Sequence, residues 1–341
     1  MDVVNQDINI ITIPADIAEC ITQFLTLDIF VKLMTTNKKI AVLFGRYIHK
    51  LPWSVTKIFK LPNKIIFEYI TKRVNHITGV KKLEQLSIFP ALTSFKTHKM
   101  FPTNRMTSKR NLRAGFITKN VKRIEIIAKF DHTIEADSLP YGLEELILPN
   151  NYNKILDPLI IGQLPKLKYL RIGTNFANGQ KRNNADIIPI DPKAFPVSLE
   201  KLEIHTPHIL ANNLKDIFER LINLKILVLT SAFNQILLIL PANLVELVMG
   251  DKYNHDIMPV IKNHSTLRSI TVGNTYSHKF DLPNMPKNLR WLTVGLDYKH
   301  YIHPEILPTN LILKLDLNTY CQVIINHYFK QLEQKTVKIL V

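Results

Sequence analysis

The chain has 341 residues, 46% of them hydrophobic and 21% charged, which permits a packed core and excludes global disorder. Ten glycines against 19 prolines exclude glycine-rich phosphate loops as a theme. The net charge of +16 is concentrated: between Lys38 and Arg123, 20 Lys and Arg meet only Glu68 and Glu84, while the rest of the chain is nearly neutral. Two cysteines, Cys20 and Cys321, at opposite ends exclude a disulfide framework and point to a reducing compartment. The most apolar run, Ile236 to Met249, is cut by Pro241 and carries Glu246, so no membrane span is expected. Asp2 and Asp7 stand where a signal peptide would be basic. A cytoplasmic location is expected, with the nucleus as the alternative.

Residues 8–50 have helical spacing. Pro14 precedes an apolar set at Ile17, Cys20, Ile21, Phe24 and Leu25; Asp28 starts a second helix through Val31 and Leu33; Asn37 starts a third through Ile40, Leu43 and Phe44. Three short helices bury too little surface to stand alone. The order Ile13-Pro14, Ile17, Ile21, Leu25, Asp28-Ile29 and Leu33 resembles the F-box, with Ile13 in place of the usual Leu and Trp53 too far on to be the usual late Trp. That resemblance implies binding to the Skp-type adaptor of a cullin–RING ubiquitin ligase, and Pro14, Ile17, Ile21, Leu25 and Leu33 are the positions that carry over to adaptor contact.

Residues 51–115 read as a basic, partly helical connector with irregular early repeats, Leu83-Glu-Gln-Leu-Ser-Ile88 being a candidate. No acidic residue occurs from Ser87 to Ile124. Lys109, Arg110, Arg113, Lys119, Lys122 and Arg123 form a candidate anion-binding set, with Phe101 and Phe116 interleaved. Three readings stay open: salt-sensitive neutralisation of nucleic-acid phosphates, docking to an acidic protein surface, or a solvated linker face.

From 116 to 341 the pattern apolar-x-x-apolar-x-apolar recurs, starting at Val121, Leu143, Leu167, Leu199, Leu224, Leu244, Leu267, Leu289 and Ile312, with a last copy at Val337. A proline precedes most units (Pro140, Pro165, Pro196, Pro241, Pro286, Pro308), suiting a corner ahead of a strand. A three- or four-residue strand cannot bury its own apolar face, so the copies must stack. The expected fold is α/β: a leucine-rich-repeat-like solenoid of short parallel strands with mostly loop returns, preceded by the small three-helix module. Ala211 to Leu221 fits a helical return, and Gly179 to Asn184 a polar loop insertion.

After each strand comes an aromatic turn, as in Tyr152-Asn153, Phe176, Phe233-Asn234-Gln235-Ile236, Tyr253-Asn254, Tyr276 and Tyr298. These residues resemble the FNIP repeat, a leucine-rich-repeat variant; Phe233-Asn234-Gln235-Ile236 and Tyr253-Asn254 match best, while Phe176-Ala177, Tyr276-Ser277 and Tyr298-Lys299 lack the Asn. An F-box followed by FNIP repeats resembles proteins of social amoebae and of giant viruses of amoebae, which would place the chain in host cytoplasm if it is viral.

The third and fifth positions of each unit face the open side of the sheet, including Glu145 and Ile147. Tyr169, Arg171, Lys201, Ile226, Val228 and Trp291 are the candidate client-binding residues there, Tyr, Trp and Arg being the types that most often dominate interfaces. The alternative is an ordinary solvated face. No cofactor is implied. His205-x-x-His208 and His300-x-x-His303 lack nearby Cys and do not make a tetrahedral metal site, and no nucleophile motif is present. The resemblance implies tethering, not enzyme activity: an F-box grips the ligase and the repeats hold a client protein.

Overall fold

In the computed structural model, the described residues are 53–54, 74, 76–80, 86, 88–97, 117–127, 130–176, 190–207, 211–230, 233–296 and 311–315, together with 29, 32, 58, 209, 298, 300 and 338–340. The strands are β1 (Trp53–Ser54), β2 (His76–Val80), β3 (Ser94–Thr97), β4 (Arg123–Ile126), β5 (Glu145–Ile147), β6 (Tyr169–Ile172) and β7 (Lys201–Ile204). They continue as β8 (Ile226–Leu229), β9 (Glu246–Met249), β10 (Ser269–Thr271), β11 (Trp291–Val294), β12 (Ile312–Leu315) and β13 (Lys338–Leu340). All 13 lie in one sheet in sequence order, each paired parallel to the next. Parallel strands joined in order require each return to run behind the sheet, and the apolar fourth position supplies the core there: Ile124, Leu146, Leu170, Leu202, Leu227, Leu247, Ile270 and Leu292 are in register and buried.

The corners follow from the prolines. Pro140, Pro196, Pro241 and Pro286 each accept, through their carbonyl, the N–H three residues on, at Leu143, Leu199, Leu244 and Leu289 (2.9–3.1 Å). A fixed φ at this point turns the chain into the strand, and the missing N–H costs nothing outside the ladder. The residue before the first leucine then ties neighbouring corners together: Asn223, Asn243 and Asn288 donate to the carbonyls of Val197, Ile222 and Ser265 (2.6–2.9 Å).

Behind the opposite end of the strands the turn aromatics stack. Phe233, Tyr253, Tyr276 and Tyr298 form a nearly parallel column with centroids 6.1–6.4 Å apart, and Phe130 stacks on Tyr152 at 5.8 Å. Asn234 and Asn254 do bond backbone as their turn chemistry suggests, but across the step: their Oδ1 atoms accept from Asn254 N (3.0 Å) and Ser277 N (2.9 Å). Gly273 and Gly295 sit where a Cβ would come within 2.5 and 2.6 Å of the preceding turn's backbone, so only glycine lets the turns stack this closely.

The longest helix among the described residues lies in the return between β7 and β8. α1 (Ala211–Arg220) buries Leu214, Ile217 and Phe218, with Lys215 and Glu219 paired on its outer side at 3.6 Å. α2 (Met258–Ile261) is a single turn. Among the described residues no helix is long and apolar enough to cross a membrane.

Several expectations change. The sheet does not begin near 115: β1 to β3 belong to it, with Ile77 and Phe95 in the leucine column, so the segment read as a connector already carries rungs. Of the candidate at Leu83 to Ile88, only Leu86 and Ile88 are among the described residues, and they lie in a helical turn between β2 and β3. The unit read from Ile312 slips by two residues, since Leu292 pairs with Leu313, and the last copy slips by one, since Leu313 pairs with Ile339. In Leu311-Ile-Leu-Lys-Leu315 nearly every position is apolar, so hydrophobicity alone does not set the register. The fourth residue of the best FNIP-like turn, Ile236, is 51% exposed, and Leu237 after it fills the core at 5%. The three-helix module, with Pro14, Ile17, Ile21, Leu25 and Leu33, lies outside the described residues; within it Ile29 and Lys32 are helical and exposed.

Candidate protein-binding face

Register places the open-face side chains in two columns. The third-position column runs Arg123, Glu145, Tyr169, Lys201, Ile226, Glu246, Ser269, Trp291, and the fifth-position column Lys96, Glu125, Ile147, Arg171, Glu203, Val228, Val248, Thr271, Thr293. Parallel strands are about 4.8 Å apart, so neighbours in a column are in reach of each other.

The early part is an ion network. Lys96 pairs with Glu125 at 2.8 Å, and Arg123 reaches both Glu125 (3.3 Å) and Glu145. Burial would raise the Glu125 carboxyl, but the Lys96 and Arg123 donors hold it below its ordinary value. His76, in register with Ser94, bonds its hydroxyl at 2.6 Å, and burial together with the Arg123 charge lowers the imidazole.

A second cluster centres on Glu203. Lys201 Nζ lies 2.8 Å from its carboxylate and 4.7 Å from the centroid of the Tyr169 ring, a cation–π distance. Arg171 Nε donates to His205 Nε2 at 3.2 Å, with Glu203 3.9 Å from Arg171 and 3.5 Å from His205. Burial pushes the Glu203 carboxyl up, yet the surrounding donors His205, Lys201 and Tyr169 outweigh it and bring it down to about 2. Burial and the Glu203 carboxylate in turn push the Tyr169 phenol well up. Tyr169, Arg171 and Lys201 are thus brought together, with one another and with an internal carboxylate.

Beyond β7 the face changes character. Ile226, Val228 and Val248 are half-buried neighbours on β8 and β9, followed by Thr271 and Thr293. Trp291 is 46% exposed, but it lies three rungs from Ile226 and does not share a contact patch with it. Ile147, expected on the open face, lies between Glu125 and Arg171 in register and is only 4% exposed.

The basic set divides. Lys122 pairs with Glu144 at 2.9 Å and Arg123 with Glu125 and Glu145, whereas Lys119 is exposed; Lys109, Arg110 and Arg113 lie outside the described residues. A run without acids in sequence is therefore met by acids about one repeat away. Sequence reading missed a third column, the residue immediately before each strand: Lys122, Glu144, Lys168, Glu200, Lys225, Val245, Arg268, Arg290. Glu200 accepts from Lys225 (2.8 Å) and pairs with Lys168 (3.3 Å), and those lysines lower its carboxyl. Its signal was legible as alternating sign at the second position of successive units. Among the described residues no group of three or more His, Cys, Asp or Glu is placed to hold a metal; His300 Nε2 bonds the Ser277 carbonyl at 2.5 Å, and His208 and His303 lie outside the described residues.

The FNIP repeat family pattern matches residues 130–175, the stretch from Phe130 through the Tyr152 turn and β6. Among solved structures, CroV588, described as a novel circular LRR protein, is 16% identical with a TM-score of 0.42 over 72% of this chain; this chain spans 43% of that one. The Leptospira interrogans LRR protein LIC12759 is 14% identical with a TM-score of 0.33, over 89% of this chain and 98% of that one. No curated protein matches the chain.

Proposed function

From the premise that this is an FNIP/LRR-like repeat protein, we propose that it is a non-enzymatic recognition subunit whose open face holds a client protein. The observation that carries this reading is the late face, where Ile226, Val228 and Val248 form a half-buried apolar strip on β8 and β9, with an exposed Trp291 as a separate anchor two rungs beyond Val248. On the early face the charges are engaged with one another, which leaves the late face as the part with apolar surface to offer. In the finer form of the proposal, the F-box-like segment with Pro14, Ile17, Ile21, Leu25 and Leu33 grips a Skp-type adaptor, and ubiquitin transfer to the client occurs elsewhere in a cullin–RING assembly. The order of those residues ahead of a repeat array supports it. A cytoplasmic site of action fits this role.

The test is affinity purification of the full chain from amoebal lysate. Recovery of a Skp-type adaptor that is lost in Ile17→Ser/Leu25→Ser, together with a client lost in Ile226→Ser/Val228→Ser, supports the full reading. A client without an adaptor leaves an interaction scaffold with no ligase role. Client capture unchanged by Ile226→Ser/Val228→Ser and by Trp291→Ala removes the face itself.

A further inference from the structure

The residues immediately before the strands form a continuous row at the rim of the sheet. From Glu144 to Arg290, each donates its backbone N–H to the carbonyl of the same position one rung earlier, at 2.7–2.8 Å. The first five alternate in sign, Lys122, Glu144, Lys168, Glu200 and Lys225, and are neutralised by the pairs Lys122–Glu144, Lys168–Glu200 and Lys225–Glu200. Then the alternation stops. Val245 interrupts it, and Arg268 and Arg290 follow on adjacent rungs, both exposed and, among the described residues, without an ion pair. Like charges on neighbouring strands repel, so this end of the rim gains stability from an anion that the rest of the rim already supplies for itself.

A groove of about 580 Å³ runs along the same rim, lined by Lys225, Asn243, Val245, Thr266, Arg268 and Asn288. Its walls are pinned: Asn243 and Asn288 are bonded to the neighbouring corner, and Thr266 Oγ donates to the Leu244 carbonyl at 2.7 Å. Val245 is half-buried in it, and Ile222, which also lines it, is 55% exposed.

We propose that this groove binds an extended acidic segment of the client protein, with one carboxylate on Arg268 in the groove, the next on Arg290 one rung beyond its lining, and an apolar side chain against Val245 and Ile222. The assignment rests on the client-binding reading and specifies the chemistry of what is bound. Guanidinium forks suit bidentate carboxylates. Lys225 to Arg290 is three rungs, about 14 Å, the span of four or five extended residues. Charge pattern selects a peptide over nucleic acid. Glu200, one rung before Lys225, belongs to the same rim, so an evenly charged phosphate chain running past Lys225 would meet its carboxylate, whereas a peptide can place acids only at the two arginines.

Fluorescence anisotropy on the full chain tests this, using a fluorescein-labelled peptide of about 10 residues of Leu and Ser with two alternate central Glu (the Glu/Leu peptide), with Gln/Leu and Lys/Leu counterparts changed at those two positions and a single-stranded oligo-dT. The Glu/Leu peptide should bind, and both the Gln/Leu counterpart and the R268A/R290A variant should weaken binding about tenfold or more, each tenfold being about 1.4 kcal/mol. Lys122→Ala should leave it unchanged, and R268E/R290E should bind the Lys/Leu peptide instead. Both arginines are exposed, so an unshifted Tm confirms folding. An unchanged Kd in R268A/R290A, or oligo-dT binding more tightly than the Glu/Leu peptide, overturns the proposal. The two readings separate: no peptide binding with client capture still lost in Ile226→Ser/Val228→Ser sinks only the groove. Peptide binding retained while capture ignores those changes sinks the client face.

Discussion

The early and late parts of the open face share one backbone and solve the same problem differently. From β3 to β7, Lys96, Glu125, Arg123, Glu145, Lys201, Glu203 and Arg171 are engaged with neighbours on the same or the next rung. From β8 to β11 the equivalent positions hold Ile226, Glu246, Ser269 and Trp291 in one column and Val228, Val248, Thr271 and Thr293 in the other, with a single charge among them. The comparison teaches that presence on the face is not availability. An arginine held by Glu203 must give up that carboxylate before it can take another, whereas an exposed Trp291 has water to lose and little else.

Equal behaviour of the two parts is expected only in the core. Leu170→Ala on β6 and Leu227→Ala on β8 should each cost about 2–5 kcal/mol in urea unfolding, because both are buried in the same column; a loss confined to one would mean two separate bodies. On the face the parts should diverge. Glu203→Gln removes the charge that organises Lys201, Arg171, His205 and Tyr169 and should cost about 1–3 kcal/mol, whereas Glu246→Gln in the late part should stay within about 0.5 kcal/mol. Matching losses would erase the distinction.

Acid titration sharpens the same point. The Glu203 carboxyl is held down to about 2 against an ordinary 4.5, so folding favours its ionised form. Its contribution is full above about pH 4.5 and disappears as pH falls toward 2, and that part of the acid limb should be missing in Glu203→Gln. Smallest of all, Trp291→Ala should shift stability by only about 0.5 kcal/mol, being exposed, while weakening client capture. A large stability loss there would make Trp291 structural.

Much of the architecture was legible. Leucines spaced by about one repeat, with prolines at the corners, leave stacking as the way to bury an apolar face, and the FNIP-like turns mark where each return begins. Register was legible only where polar residues interrupt the pattern: Leu289-Arg-Trp-Leu-Thr-Val294 has one reading, whereas Leu311-Ile-Leu-Lys-Leu315 has several, and the Ile312 N–H to the Arg290 carbonyl decides among them. β2 and β3 were hidden because His76-Ile-Thr-Gly-Val80 and Ser94-Phe-Lys-Thr97 put Ile77 and Phe95 where most later rungs have leucine, and the second inward position is displaced to Val80 in β2 and is Thr97 in β3. At the site, residue types were readable but their engagement was not. Glu203 meets Arg171 from 32 residues away, and only the sheet makes them neighbours. The rim's alternation was in the sequence throughout, visible once second positions are compared instead of leucines.

The central claim is that all rungs lie in one ladder in order, and spin-label distances test it most directly. In a chain with Cys20 and Cys321 replaced by Ser, labels at Thr293 and Val228 are three rungs apart, about 14 Å, and labels at Val228 and Thr78 six rungs, about 29 Å. The account predicts that the Thr293–Thr78 distance approaches about 43 Å, shortened only by curvature of the sheet. A Thr78 label found as close to Thr293 as Val228 is would contradict it.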